Sequence, residues 1–285
     1  MTSPAVQPIL ALLASPVGGN PTQYAVEKAF AAMSLDWRFL SFEVAPEGLA
    51  DAVRGMRAMG FRGGAIANPH RRAVLPLLDE ATQIADLLGS VNFIRGVENR
   101  LIGDNTEGRG LLETLRKLID PAEKRCLVFD AGEIGKAVTA ELAAAGAAEV
   151  RIADPSAEKA ATAAGLFEGK YRTIVTSHGW EDNYLVTDDI DIVVRASSIA
   201  TNHGNHNHHH PTLDASSLRP ELIVADLAVN SSDAWLLQAA TARQCKTVDG
   251  LTALVEQIAV DFRLWTTLDP DHQLIREAVE EFLEL

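Results

Sequence analysis

The sequence predicts an α/β fold in two domains, and three observations carry that prediction. Short apolar runs of strand length alternate with helix-period segments along most of the chain, the rhythm of sheets covered by helices. One stretch, Arg125 to Asp154 (RCLVFDAGEIGKAVTAELAAAGAAEVRIAD), compresses that rhythm into strand, glycine turn, Ala-rich helix, strand and closing acid. The chain has 285 residues, 47% of them apolar, long enough for two domains or one large one with a sizeable core.

Taken in order, Ile9 to Ala14 is a buried-strand candidate, broken by the loop Ser-Pro-Val-Gly-Gly-Asn-Pro. Thr22 is placed to N-cap a helix running to Met33. Trp37 to Phe42 alternates aromatic and polar residues, as a strand does. Pro46 and Glu47 open a helix that ends at Gly60, Gly63 to Ala67 is a short strand, and Pro69 opens another helix at its favoured first-turn position. A helix is expected over Glu80 to Leu88, then Val91 to Arg95 pairs with Arg100 to Ile102 around a polar turn. Asp104 to Gly108 leads into a helix through Leu118. Residues 1–105 are therefore expected to form one α/β domain, and residues 106–248 the next.

In that second segment Arg125 to Asp154 has the layout of a dinucleotide-binding βαβ unit. Glycine there lets the backbone turn tightly and approach a pyrophosphate held at the helix N-terminus. The candidate phosphate loop is Ala131, Gly132, Glu133, Ile134 and Gly135, and Asp154 is the candidate ribose-binding acid. Asp130 takes the first glycine position, where a carboxylate would repel phosphate at close range. The bland alternatives are that Gly132 and Gly135 merely end a strand and pack a helix, and that Asp154 is a solvated helix N-cap.

Thr173 to Thr176, Ile190 to Val194 and Leu222 to Asp226 read as further strands of a parallel sheet. Ser232 is placed to cap a helix to about Thr241, and Thr247 to Gly250 gives a short strand and turn. Helices over Leu251 to Leu268 and Asp271 to Leu283 finish the chain, within residues 249–285. Five His lie between His203 and His210. They lack a regular ligand spacing, so the stretch reads as a solvated loop and no metal is expected.

A net charge of −14 argues against non-specific nucleic-acid or anionic-membrane binding. No apolar run approaches the ~18 residues of a membrane span. Two cysteines, too few for a disulfide framework, and a start without a basic and apolar leader pattern make the cytoplasm the expected compartment. The expected partner is a small-molecule substrate, and a homodimer is compatible with the sequence.

Four ordered blocks carry a wider likeness: FRGGAIANPHRRAVLPLLDE (61–80), GSVNFI (89–94), LIGDNTEGRG (101–110) and VDGLTALVEQ (248–257). With their spacing the chain resembles the shikimate/quinate dehydrogenase family over nearly its whole length. The resemblance implies an N-terminal α/β substrate domain, a Rossmann-type NAD-binding domain, and C-terminal helices that return to the first. It implies hydride transfer between a nicotinamide cofactor and a ring hydroxyl or carbonyl of a cyclic hydroxy acid.

Carried over by position, the family's catalytic Lys falls at Arg71 and its paired acid at Glu107. The hydroxyls that hold the substrate carboxylate fall at Asn20 and Thr22, and the ring-hydroxyl contacts at Asn92 and Gln257. Asp104 is retained, and an Asn and a Thr of the family become Ala65 and Ala67. Arginine stays protonated where lysine can share a proton. Arg71 is thus expected as an electrostatic anchor and Glu107 as the base. The altered clamp implies a related substrate rather than shikimate itself.

NADP users of the family carry Asn-Arg-Thr where this chain has Asp154-Pro155-Ser156, so NAD is expected over NADP. The nicotinamide-side run Asn-Ala-Thr-Pro reads Arg195-Ala196-Ser197-Ser198. Beside these stand plainer readings: Arg71 and Glu107 as a structural ion pair, Asn92 satisfying buried backbone, Gln257 on a helix surface. A non-catalytic dinucleotide or metabolite sensor is the alternative function, and lyase or isomerase chemistry a weaker third.

Overall fold

The structure is a computed structural model, described over residues 6–179, 184–196, 213–229 and 235–285. Its contacts divide the chain into two compact units, Met1–Thr106 with Val255–Leu285, and Glu107–Leu254. Both are α/β.

The first unit begins with β1 (Ile9–Ala14), α1 (Thr22–Ala32), β2 (Arg38–Glu43), α2 (Leu49–Ala58), β3 (Gly63–Ile66) and α3 (His70–Ala73). It continues with β4 (Glu80–Ala81), α4 (Gln83–Leu88), β5 (Phe93–Val97) and β6 (Arg100–Asp104). Among the described residues its sheet has six strands in the order β2-β1-β3-β5-β6-β4. β1 runs parallel to β2 and β3, whereas β5 is antiparallel to β3 and β6. Leu13, Ile66, Ile94 and Leu101 from the sheet pack against Val53 and Met56 of α2.

The second unit holds α5 (Arg109–Arg116), β7 (Arg125–Phe129), α6 (Glu133–Ala144), β8 (Glu149–Asp154), α7 (Ala157–Gly165) and β9 (Ile174–Gly179). β10 (Ile192–Arg195), β11 (Ile223–Asp226), α8 (Trp235–Ala242) and β12 (Lys246–Asp249) complete it. The sheet order β12-β11-β10-β7-β8-β9, all parallel, is a doubly wound arrangement with β7 beside the point where the order reverses. β7, β10 and β11 read as near-continuous apolar runs because both faces of a parallel sheet are covered. Cys126 lies wholly inside β7, and burial, with Asp191 nearby, pushes its thiol up to about 12, so it acts as a core residue.

α9 (Gly250–Thr266) and α10 (His272–Leu283) end the chain. From Val255 onward they belong to the first unit. Trp265 of α9 stacks on Phe93 with ring centroids 4.9 Å apart, and its indole N–H donates to the Ile94 carbonyl at 3.0 Å. Phe262 meets Phe30 of α1 at 5.4 Å. A buried aromatic with its polar atom satisfied anchors such a helix firmly.

Several local expectations are corrected. Thr22 is the first residue of α1, not its cap; Asn20 Oδ1 accepts from the Thr22 N–H at 3.0 Å and turns the chain into the helix. Glu80 and Ala81 are a short strand paired with Ile102 and Gly103, and Thr82 caps the helix that follows by accepting from Ala85 N–H at 3.3 Å. Pro46–Gly48 forms a 3₁₀ turn before α2 begins at Leu49. Ser232, Ser197, Ser198 and the His203-to-His210 run lie outside the described residues.

Candidate active site

In the first unit, the sequence-predicted residues gather at the strand ends through backbone hydrogen bonds. β3 continues to Ala67, whose N–H donates to Leu13, and Asn68 accepts from Ser15, joining the ends of β1 and β3. α3 follows and carries Arg71, half-buried. Its neighbour His70 is buried and shares a 2.7 Å hydrogen bond with the Val44 carbonyl, so His70 holds the turn.

The Arg71 carbonyl accepts from Val91 N–H at 2.8 Å, which sets α3 directly beside Asn92. The Asn92 side chain is buried, accepts from Thr106 N–H at 2.7 Å and donates to Thr106 Oγ1 at 3.1 Å. Asp104 accepts from its neighbour Asn105 N–H at 2.8 Å and from the Thr82 hydroxyl at 2.5 Å. Asn92 and Asp104 therefore fix the chain leading up to Glu107.

Asn20 and Thr22 sit together in the turn that opens α1, both half-buried. Gln257 is half-buried on α9, next to Glu256, which pairs with His272 Nδ1 at 2.8 Å. Arg71, Asn92, Asn20, Thr22 and Gln257 thus all belong to the first unit, while Glu107 opens the second.

The second unit brings together all six residues expected at the dinucleotide loop. Gly132 stands at the N-cap of α6 and Gly135 lies in its first turn. A Cβ on Gly135 would fall 1.8 Å from the Asp130 carbonyl oxygen, so only glycine fits there. Asp154 ends β8 and is 8% exposed, so it is not the solvated helix cap considered as its alternative. Its Oδ2 accepts from Ala131 N–H at 3.0 Å and its Oδ1 from Ser156 N–H at 2.9 Å, while Ser156 itself caps α7.

A carboxylate has roughly four acceptor positions, so Asp154 keeps capacity for ribose hydroxyls. No cation lies in Asp154-Pro155-Ser156 to meet a 2′-phosphate. The adenosine side of the site therefore fits a dinucleotide, while at Gly135 the close approach is between α6 and the Asp130 carbonyl, as the plainer reading of that glycine has it.

Two features escaped the sequence. Arg195 and Asp226 form a buried ion pair across neighbouring strand ends, at 2.8 Å. Both close apolar runs, and that shared position was the available signal. Arg109 of α5 pairs with Glu141 of α6 at 2.9 Å. Among the described residues no His, Cys, Asp and Glu cluster could hold a metal, and no helix is long and apolar enough to cross a membrane.

Comparison with known proteins returns one consistent group. The sequence model of the shikimate dehydrogenase substrate binding domain matches residues 12–94. The shikimate dehydrogenase (NADP(+)) of Bacillus licheniformis is 30% identical over 281 residues, covering 96% of this chain and 97% of that one. The ligand-free 5-ketofructose reductase of a Gluconobacter strain is 34% identical with a TM-score of 0.91, over 97% of this chain and 99% of that one. The shikimate 5-dehydrogenase of Listeria monocytogenes, solved with shikimate and NAD, is 26% identical with a TM-score of 0.86, over 97% and 98%.

Proposed function

The chain belongs to the shikimate/quinate dehydrogenase family, and from that premise we propose that it moves a hydride between NAD(H) and a ring hydroxyl or carbonyl of a small polyhydroxylated substrate. The observation that carries this reading is Asp154, an acid at the end of β8 hydrogen-bonded to the glycine loop, with no arginine in the turn that follows. An acid in that place favours free ribose hydroxyls over a 2′-phosphate. NAD is accordingly the proposed cofactor, although the Bacillus relative is named for NADP(+).

A bound nicotinamide supplies or takes the hydride. The protein's part is proton handling, charge and orientation. Glu107 takes the hydroxyl proton on a carboxylate oxygen as the alcohol is oxidised, and returns it in the reverse direction. Arg71 stays charged and stabilises the oxygen as negative charge develops. Asn92, Gln257, Asn20 and Thr22 orient the substrate.

The substrate class is a shikimate- or quinate-like cyclic hydroxy acid with altered specificity. The Gluconobacter neighbour, a 5-ketofructose reductase, supports a frame that also admits polyhydroxylated ketones. The test is a spectrophotometric panel of shikimate, quinate and 5-ketofructose with NAD(H) and NADP(H). Turnover with NAD(H) is expected on at least one; absence of binding to both cofactors would refute the dehydrogenase reading. Arginine in place of the proton-shuttling lysine favours a second reading, a dinucleotide binder without turnover, and binding of NADH with no activity across the panel is its signature.

A further inference from the structure

Asp130 stands at the first glycine position of the dinucleotide motif and has taken glycine's backbone, with φ +88°. L side chains adopt that region rarely. The loop holds it there from three sides. Its N–H donates to the Ala153 carbonyl at 2.9 Å, and its own carbonyl lies where any Gly135 side chain would be. Its carboxylate Oδ1 accepts from Gly132 N–H at 2.7 Å.

The adjacent amide, Ala131 N–H, is directed at Asp154 Oδ2. Two successive amides of the phosphate loop thus point at carboxylates of the chain itself, and Glu133 adds a third acid in the first turn of α6. Converging amides at a helix start attract anions because their N–H groups and the helix dipole act together. A carboxylate on Gly132 N–H satisfies the same donor that a diphosphate would use, and adds a negative charge beside it.

Resting on the dinucleotide reading above, we propose that Asp130 is an internal anion lodged at the phosphate end of the cofactor site. The diphosphate of the cofactor must displace it from Gly132 N–H. Asp130 thereby sets cofactor affinity, and does so through the phosphates, leaving recognition of the adenosine to Asp154.

Fluorescence titration of NADH and calorimetric titration of ADP and adenosine, on the full chain and on Asp130→Gly and Asp130→Asn, test this. Asp130→Gly removes the charge and suits the backbone; Asp130→Asn removes only the charge and guards against a folding defect in the first variant. Tightening of NADH and ADP by tenfold or more in Asp130→Gly, by a smaller factor in Asp130→Asn, with adenosine unchanged, is the expected result. NADH and ADP affinities that stay the same or weaken in both variants would overturn the proposal while leaving the dinucleotide reading in place. If NADH and ADP bind none of the three proteins, both fail.

Discussion

Arg195 Nε donates to Asp226 Oδ1 at 2.8 Å with the two residues 2% and 1% exposed, joining the C-terminal ends of β10 and β11 in the central part of the parallel sheet. Asp226 also accepts from Ala228 N–H at 3.2 Å, and the guanidinium lies 6.0 Å from the Trp235 ring. Charges so deep are tolerated because each has its partner. The pair stands at the carboxyl ends of these strands, the side of an open parallel sheet on which ligands bind in this kind of fold.

Removing one partner should be far worse than removing both. Arg195→Met leaves Asp226 buried without its cation and is expected to cost about 3–5 kcal/mol. The double variant Arg195→Met with Asp226→Leu should recover most of that loss. Urea unfolding of the two single variants and the double variant gives the coupling directly. Additive losses would show that the pair is not the unit of stability.

Gly135 offers a test of the loop geometry. Its Cβ position is 1.8 Å from a backbone oxygen, which cannot swing aside, whereas a Cβ on Gly132 would meet the Asp130 carboxylate oxygen at 2.9 Å. Gly135→Ala should therefore lose about 1–3 kcal/mol of stability, the range for forced overpacking, and should also weaken NADH binding. Gly132→Ala should leave the unfolding midpoint nearly unchanged, because a side-chain end can move. Circular dichroism melts beside NADH fluorescence separate the two effects.

Glu107 is the residue on which the proposed chemistry depends. Glu107→Gln keeps shape and polarity but cannot take the hydroxyl proton, so turnover should fall by about a hundredfold or more while NADH affinity stays within twofold. Arg71→Lys introduces a group able to lose its proton, so the pH dependence of kcat should change in that variant. Stopped-flow single turnovers would read both, and a Glu107→Gln variant with normal kcat would remove Glu107 from the mechanism.

The layout of both units was legible because parallel strands write themselves as apolar runs and helices as periodic ones. The Arg125-to-Asp154 unit is an example, from the Cys126 run to the acid that ends β8. Reading failed where tertiary pairing outweighs local pattern. Glu80 and Ala81 form a strand only because Ile102 and Gly103 offer an edge. Thr22 is the first helical residue rather than the cap: its own N–H donates to the Asn20 side-chain oxygen, a turn bond that leaves the helix without a side-chain cap. The identity of Asp130 was plain in the sequence, but the direction of its carboxylate was not: repulsion from phosphate could be read there, whereas a bond to Gly132 N–H needs the loop folded.

Arg151 sits at the centre of a charged network in β8, and the network should decide how the second unit responds to acid. Arg151 Nε donates to Glu149 Oε1 at 2.8 Å, Nη1 to the Thr187 hydroxyl at 3.0 Å, and Nη2 reaches Asp189, which Arg125 also contacts at 2.7 Å. Hydrogen bonds from Arg151 hold the Glu149 carboxyl below its usual range. The Thr187 hydroxyl, then Arg151, hold Asp189 well below its own. Both folded-state values are depressed, so the stability they contribute is complete above the ordinary carboxylate range and is lost as pH falls through the depressed values. Asp189 is about one-third exposed, so solvent weakens its share and Glu149 should dominate. Arg151→Met is expected to lower stability at pH 7 by about 1–3 kcal/mol, the range for hydrogen bonds to charged groups. It should also flatten the acid limb: the wild-type protein should lose stability steeply below about pH 4, and the variant, having less carboxylate stabilisation to lose, should converge with it there. Thr187→Val removes only the hydroxyl beside Asp189 and should give a smaller change of the same sign. Thermal unfolding midpoints from about pH 7 down to about pH 2.5 would measure this, and wild-type and Arg151→Met curves separated by a constant offset would show that the network does not respond to protons.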